Sequence, residues 1–302
     1  MSISIAMATY NGARFLREQL DSILNQTIQD FEVVVCDDCS VDSTYSILEE
    51  YSDRDSRFRI FSNDSNLGFI NNFEKIISLC SGEYIALCDQ DDIWLPDHLE
   101  VLINAMDDNS QLACGKPIFV NELNEKLPKK YNYFKMDYIP ENNEDMARHL
   151  FLCRGMLQGA SMMIKNSFFN KALPIPKGAL YHDSWFTALA CFSGGVKYVD
   201  KPVMRYRRYG NAVTSSLRKL SPARLFIGSV LVNHSVIDRL VFIKTIKERV
   251  DYLSPNQTEL LNTFEKLLKR RTSIWGRIAN IPYLLRHFKA IYCYDGKHLF
   301  TI

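Results

Sequence analysis

A chain of 302 residues is long enough for one large domain, or for one domain with an appendage. With 47% apolar and 24% charged residues the composition is globular, which excludes a disordered polymer. The net charge of +1 excludes a whole-chain field directed at nucleic acid, so no nucleic-acid partner is expected.

In chain order, roughly the first 110 residues alternate strand and helix patterns. Ile3 to Ala8 predicts a short apolar strand. Asn11-Gly12 is a turn opening a helix in which Phe15, Leu16, Leu20, Ile23 and Leu24 recur at helical spacing. Phe31 to Cys36 predicts a buried, β-branched strand, and Ser40 and Asp42 can cap a helix reaching Tyr51. Phe58 to Phe61 predicts a third strand, Phe69 to Cys80 a helix stopped at Gly82, and Tyr84 to Cys88 a fourth strand. Pro96 suits the first turn of a helix running to Asp107. Lys116 to Glu144 reads as a strand followed by a polar excursion. Ala160 to Ile164, Val196 to Val199 and Val203 to Tyr206 predict strands, and Asp183 to Phe192 a helix. From Leu217 the pattern is helical, with cap signals at Ser221-Pro222 and Ser254-Pro255-Asn256-Gln257.

Strand and helix alternating in this way imply a mainly parallel, twisted α/β sheet flanked by helices. Charge divides the chain. From Leu217 onward there are 15 Lys and Arg against 6 Asp and Glu, so an acidic body carries a basic tail. The expected division is a body over 1–216, in halves of about 1–110 and about 111–216, with a basic helical extension over 217–302.

The eight cysteines lie mostly in apolar runs and behave as small hydrophobes. Cys36 and Cys39 form the only C-x-x-C, with no second pair nearby to complete a zinc site. No basic n-region precedes an apolar stretch, and no apolar run reaches the ~18 residues of a membrane span. The expected setting is a reducing cytoplasm.

Two acidic clusters follow predicted strands. Asp89-Gln90-Asp91-Asp92 places three carboxylates within four positions, which repel one another unless a cation neutralises them. Hard cations such as Mg²⁺ or Mn²⁺ bridge such carboxylates to a substrate diphosphate. The alternative is a solvated loop capping the next helix. Asp37-Asp38-Cys39-Ser40-Val41-Asp42 is the second cluster, where a carboxylate can accept from the N–H of a pyrimidine ring. A phosphoacceptor receiver domain is a rival that is too short to explain this chain. No P-loop, G-x-G-x-x-G, H-E-x-x-H or G-x-S-x-G motif occurs.

Ala8-Thr9-Tyr10-Asn11-Gly12, Asp37 to Thr44, Asn66-Leu67-Gly68 and Asp89-Gln90-Asp91-Asp92-Ile93-Trp94 resemble, in order and spacing, the motifs of family 2 glycosyltransferases. His182-Asp183-Ser184-Trp185 and Tyr206 to Asn211 are similar to later motifs of the rhamnosyltransferase-like branch. The resemblance covers about residues 1–212 and implies a GT-A fold and an inverting mechanism. It implies that Thr9, Tyr10 and Asn11 hold the base, that Asp38 bonds the pyrimidine, and that Asn66 and Gly68 lie along the nucleoside. Asp89 and Asp91 match the D-x-D pair, with Asp91 as metal ligand and Asp89 towards the ribose or sharing the metal. Asp183 matches the general base. Where the branch carries a His, this chain has Tyr209, which leaves Arg207 and Arg208 as candidate diphosphate contacts. His182 and Trp185 are candidates for the acceptor pocket, with a core role the alternative for each.

The expected activity is transfer of a sugar from a TDP- or UDP-linked donor to a glycan or lipid-linked acceptor, with Mn²⁺ or Mg²⁺. Its expected place is surface polysaccharide assembly on the inner face of a membrane. The rivals are a non-catalytic binding protein of the same fold and a nucleotidyltransferase. Aromatic residues among Lys269, Arg270, Arg271 and Arg277 make the tail a candidate membrane-surface element, the alternative being plain packing.

Overall fold

The computed structural model describes residues 2–128, 140, 142–152, 157–179, 181–210, 236–288 and 291. They divide into two compact units that interleave along the chain. One comprises Met1–Leu127, Leu157–Ile175 and Val196–Ser215; the other comprises Pro128–Met156, Pro176–Gly195 and Ser216–Ile302. Residues 128–156 and 176–195 therefore group with the C-terminal helices. Long-range contacts, not chain order, set this division.

The first unit is built on one eight-stranded sheet, ordered β3-β2-β1-β4-β7-β6-β8-β5. Its strands are β1 (Ile3–Thr9), β2 (Phe31–Asp37), β3 (Phe58–Ser62), β4 (Tyr84–Cys88), β5 (Ile93–Trp94), β6 (Leu112–Val120), β7 (Met162–Lys165) and β8 (Val196–Arg207). The pairs β1/β2, β2/β3, β1/β4 and β6/β8 are parallel; β4/β7, β6/β7 and β5/β8 are antiparallel. The sheet is thus mixed, with its parallel half where strand and helix alternate in sequence.

Helices α1 (Ala13–Leu24), α2 (Thr44–Arg54), α3 (Phe69–Leu79) and α4 (His98–Ala105) join these strands, and α6 (Phe169–Ala172) follows β7. β1 and β2 are buried along nearly their whole length, as strands covered on both faces must be. Ile5, Met7, Val33 and Val35 share a core with Leu16, Leu20, Ile23 and Leu48, the apolar faces of α1 and α2. Each such side chain contributes about 1.5–3 kcal/mol when fully buried. That burial holds the strand ends in register.

The predicted elements agree with the observed ones to within a few residues in this half. Three details differ. The helix expected from Pro96 begins at His98, because β5 and a turn occupy the preceding residues. The two strands expected between Val196 and Tyr206 are one strand, β8, which carries the extra residues itself as bulges opposite Gly115–Pro117 of β6. Ala160 lies in a short 3₁₀ turn, not in β7.

The second unit contains α5 (Asn143–Leu152), α7 (His182–Phe192), α8 (Val236–Arg249), α9 (Pro255–Arg270) and α10 (Ile274–Arg286). The cap signal at Ser254 is realised in full: its hydroxyl accepts from the Gln257 amide, and the Gln257 side chain accepts from the Ser254 amide. The signal at Ser221-Pro222, like Asn211, lies outside the described residues. Leu261, Phe264 and Leu268 of α9 are buried, with Phe264 stacked 5.0 Å from Phe151. Among the described residues no helix is long and apolar enough to cross a membrane.

Candidate functional site

In the first unit, the register pairs Thr9 with Asp37 and Met7 with Cys88, so β1, β2 and β4 end side by side. The segments Thr9–Gly12, Asp37–Asp42 and Asp89–Asp92 leave the sheet at its carboxyl edge, where open α/β sheets bind ligands.

Side chains lock these loops together. Thr9 Oγ1 donates to Asp37 Oδ1 at 2.9 Å, and the Ser40 amide and hydroxyl donate to the same carboxylate at 2.8 and 2.6 Å. The Tyr10 amide donates to Gln90 Oε1 at 2.8 Å, and Gln90 Nε2 returns a bond to the Tyr10 carbonyl at 2.9 Å. A Cβ on Gly12 would lie 2.0 Å from Gln90 Oε1, so a side chain there would expel Gln90. Tyr10 itself is 47% exposed, its ring open to stack on a planar base. Asn11 adopts φ +48°, its amide donating to Ser40 Oγ and its Oδ1 accepting from the Val41 amide. It is a strut as much as a binding group.

Asp38 is buried and heavily used. Its Oδ1 accepts from Asn63 Nδ2 at 2.7 Å and the Leu67 amide at 2.8 Å, and its Oδ2 from the Gly68 amide at 2.9 Å. Asn66 Oδ1 accepts from the same Gly68 amide, and Gly68 sits at φ +78°, which favours glycine. The carboxylate thus joins β2 to the Asn66–Gly68 loop, and of its roughly four lone-pair sites one on Oδ2 remains for a ligand N–H.

The acidic segment after β4 is crowded and half-sunk. Asp91 Oδ2 accepts from the Tyr209 hydroxyl at 2.7 Å. Burial raises the Asp91 pKa, an effect the Tyr209 hydrogen bond opposes. Asp92 is buried; its Oδ1 accepts from the Arg207 amide, and its Oδ2 has no hydrogen-bond partner. Burial, then repulsion from Asp91 and Asp89, pushes its pKa well up. Burial, followed by the Asp91 charge, raises the Tyr209 phenol too. The family model for Glycosyl transferase family 2 matches residues 4–185, a span containing all three strand-end loops. The chain belongs to this family.

A relative from Haemophilus influenzae, an uncharacterised glycosyltransferase, is 28% identical over 217 residues, spanning 70% of this chain and 67% of the relative. Among solved structures, S. aureus TarS 1–349 in complex with UDP-GlcNAc superposes with a TM-score of 0.61 at 19% identity, covering 96% of this chain and 82% of that one. A mannosyltransferase of Pyrobaculum calidifontis in complex with GDP-Man and Mn²⁺ gives 0.58 at 15% identity, covering 94% and 75%. These likenesses are of fold, and the fold of this glycosyltransferase is of the GT-A type.

The two arginines expected near a diphosphate, Arg207 and Arg208, are both buried. The Arg207 side chain is 1% exposed, donating to Glu18 at 3.0 Å and to the carbonyls of Asp91 at 2.9 Å and Glu122 at 2.8 Å. It also lies over the Phe15 ring. Its donors brace the acidic loop. Arg208 is also buried, its amide donating to Val120. Sequence reasoning missed the brace because it depends on β8 lying between β6 and β5, a pairing with no local signature.

Among the described residues no group of three or more His, Cys, Asp or Glu is placed to hold a metal. The donor set therefore does not fit a protein cage. Asp91, with Asp89 two positions before it, is the pair that could hold a hard cation, whose other oxygen ligands would come from outside this set. Burial of Asp91, and burial of Asp92 with repulsion from Asp91 and Asp89, disfavour charge here, which such a cation would relieve.

Asp183 and its neighbours belong to the second unit. Asp183 lies in the first turn of α7, its Oδ1 accepting from the Ser184 amide at 2.5 Å. His182 is buried, its pKa lowered by burial to about 4, with its ring edge-on to Phe186. Trp185 is fully buried against Phe242, with Arg249 over its ring. The indole occupies the core of that unit, the alternative open for it in the sequence. Of the C-x-x-C pair, Cys36 is buried and donates to Asn63 while Cys39 is exposed; both are free thiols.

Proposed function

We propose that this family 2 glycosyltransferase is a metal-dependent, inverting enzyme that moves a sugar from a nucleotide-diphosphate donor to a glycan or lipid-linked acceptor. The observation that carries the reading is the convergence of exposed Tyr10, buried Asp38 and crowded Asp89–Asp91 at one carboxyl edge of the sheet. The donor complexes of the two solved structures named above support a nucleotide-sugar donor, and the Mn²⁺ in one of them supports a divalent cation.

Tyr10 would stack on the base and Asp38 Oδ2 accept its N–H, with Asn66 and Gly68 along the nucleoside. Asp91, with Asp89 beside it, would hold Mn²⁺ or Mg²⁺, which when bound offsets the charge developing on the diphosphate leaving group. Asp183 would take the proton from the acceptor hydroxyl as that oxygen attacks the anomeric carbon. A single displacement inverts the centre. TDP- and UDP-linked sugars are the donors to try first, from the resemblance to the rhamnosyltransferase-like branch. The acceptor would be presented during surface polysaccharide assembly, with the enzyme peripheral on the inner face of the membrane.

The test is a panel of TDP-, UDP- and GDP-sugars assayed by release of nucleoside diphosphate in Mn²⁺ or Mg²⁺. Turnover on one donor, with an inverted anomeric configuration by NMR, supports the reading. Tight nucleotide-sugar binding without turnover on any donor, with or without candidate acceptors, would replace it with a non-catalytic binding protein.

A further inference from the structure

The second unit turns an apolar helix face to solvent. On α10, Trp275 is 79% exposed, Ile278 46% and Leu285 54%, and Ala279 and Pro282 are exposed between them. At 3.6 residues per turn these five positions fall within about 120° of the helix, along a length of about 15 Å. The opposite side is the buried one: Leu284 is 1% exposed, and Asn280 donates to the Leu267 carbonyl of α9 at 2.8 Å. The helix is amphipathic and packed, yet its second face is apolar rather than charged, which for a surface helix calls for a partner.

Charge identifies that partner. Between Glu265 and Asp295 the sequence has seven Lys and Arg and no Asp or Glu. Lys269 and Arg286 are exposed, the first in the last turn of α9 and paired with Glu265 at 2.6 Å, the second at the end of α10, with Arg270 half-buried beside the first. Arg271, in contrast, is not part of this rim; it is 3% exposed and donates to the Leu152 carbonyl at 2.6 Å. A second copy packed face to face would bring Arg270 and Arg286 of each copy to the same apolar seam, and Glu265, the acid that precedes them, is already paired with Lys247 and Lys269. A bilayer with anionic headgroups satisfies both features: acyl chains take the apolar stripe, phosphates take the basic ends, and a Trp suits the boundary.

We infer that the Trp275–Ile278–Pro282–Leu285 face of α10 is the surface by which this protein docks on an anionic membrane. The inference rests on the peripheral placement proposed above and names the face responsible.

The test is co-sedimentation of the full-length protein with phosphatidylcholine vesicles, with and without 30 mol% phosphatidylglycerol. Binding to the anionic vesicles should exceed binding to the neutral ones by on the order of tenfold or more at ~0.1 M salt, and collapse near 1 M, where the Debye length is about 3 Å. The variant Trp275→Ser/Ile278→Ser/Leu285→Ser should lose on the order of tenfold or more in partitioning, with an unchanged thermal melt. Lys269→Gln/Arg270→Gln/Arg286→Gln should lose the preference for anionic lipid. The unmutated protein gives an independent reading. It has three Trp, and Trp94 and Trp185 are at most 2% exposed, so a vesicle-induced blue shift in emission reports Trp275. Binding by the wild type that the Ser variant retains, without a blue shift, overturns the assignment of this face and leaves peripheral placement standing. Absence of binding to either vesicle overturns both. A wild-type dimer that the Ser variant abolishes, with no vesicle binding, assigns the face to a second copy instead.

Discussion

Tyr209→Phe removes one oxygen and keeps the ring that packs 4.9 Å from Phe15. The lost hydroxyl is the donor to Asp91 Oδ2 at 2.7 Å. A hydrogen bond to a charged group is worth about 1.5–3 kcal/mol, so the orientation and ionisation of Asp91 lose a stabilisation equivalent to roughly 10–150-fold in an equilibrium constant. Loss of a residue that orients a metal ligand typically weakens cation affinity by about 10–100-fold, the same range. The assay is Mn²⁺ binding by electron paramagnetic resonance in the presence of UDP, with nucleotide affinity measured separately in chelator. The variant should bind Mn²⁺ at least tenfold more weakly, while its metal-free affinity for the nucleotide and its melting temperature stay near wild type. Equal Mn²⁺ affinity in the two proteins would refute the link from Tyr209 through Asp91 to the cation.

Other outcomes follow from the same geometry. Asp183→Asn keeps the size and capping ability of the side chain but cannot accept a proton; kcat should fall by about 10²–10⁴-fold with donor affinity unchanged, and normal turnover would require another base. Arg207→Gln should lower stability by roughly 3 kcal/mol, because it strips a buried guanidinium from Glu18 and two carbonyls; a fall in kcat/KM at unchanged melting temperature would return Arg207 to the diphosphate. His98 is buried against Trp94, and burial lowers its pKa to about 3. Below about pH 6.5 the unfolded chain takes up a proton that the folded one refuses, so this residue costs stability as pH falls; His98→Gln should reduce the loss between pH 7 and 5 by about 2 kcal/mol in urea titrations. Glu32 behaves in the opposite sense. Burial disfavours its charge, but bonds from Ser4, Ser81 and Arg59 outweigh burial and lower its pKa to about 2. Its contribution of about 3 kcal/mol is complete above roughly pH 4.5 and lost as pH falls towards 2, and a Glu32→Gln variant should lack that acid-dependent component.

The parallel half of the sheet was legible because its signals are local. Runs such as Phe31–Cys36 can only be covered strands, α1 repeats its apolar residues every three to four positions, and each strand ends where polar residues begin. The loops at those ends were legible for the same reason, since a carboxyl strand end is fixed once the strand is. What could not be read depends on pairing at a distance. β5 is two residues long and exists only because Ile93 and Trp94 pair with Arg205 and Met204. Asp200-Lys201-Pro202 looked like a break, yet β8 passes through it. Arg207 was a candidate diphosphate contact by resemblance and Arg271 part of the basic tail by composition, and both side chains are buried on carbonyls of neighbouring segments. Asp38 read as a ligand-binding carboxylate, while three of its lone-pair sites hold a loop that sequence alone could place only as a neighbour.

The most direct test of the central claim is donor turnover by the purified protein with EDTA, then with Mn²⁺ restored, beside Asp91→Ala. The account predicts that nucleoside diphosphate release stops in chelator, returns with Mn²⁺, and is nearly absent in a folded Asp91→Ala protein under both conditions. Full release in chelator, or full activity of Asp91→Ala, would contradict it.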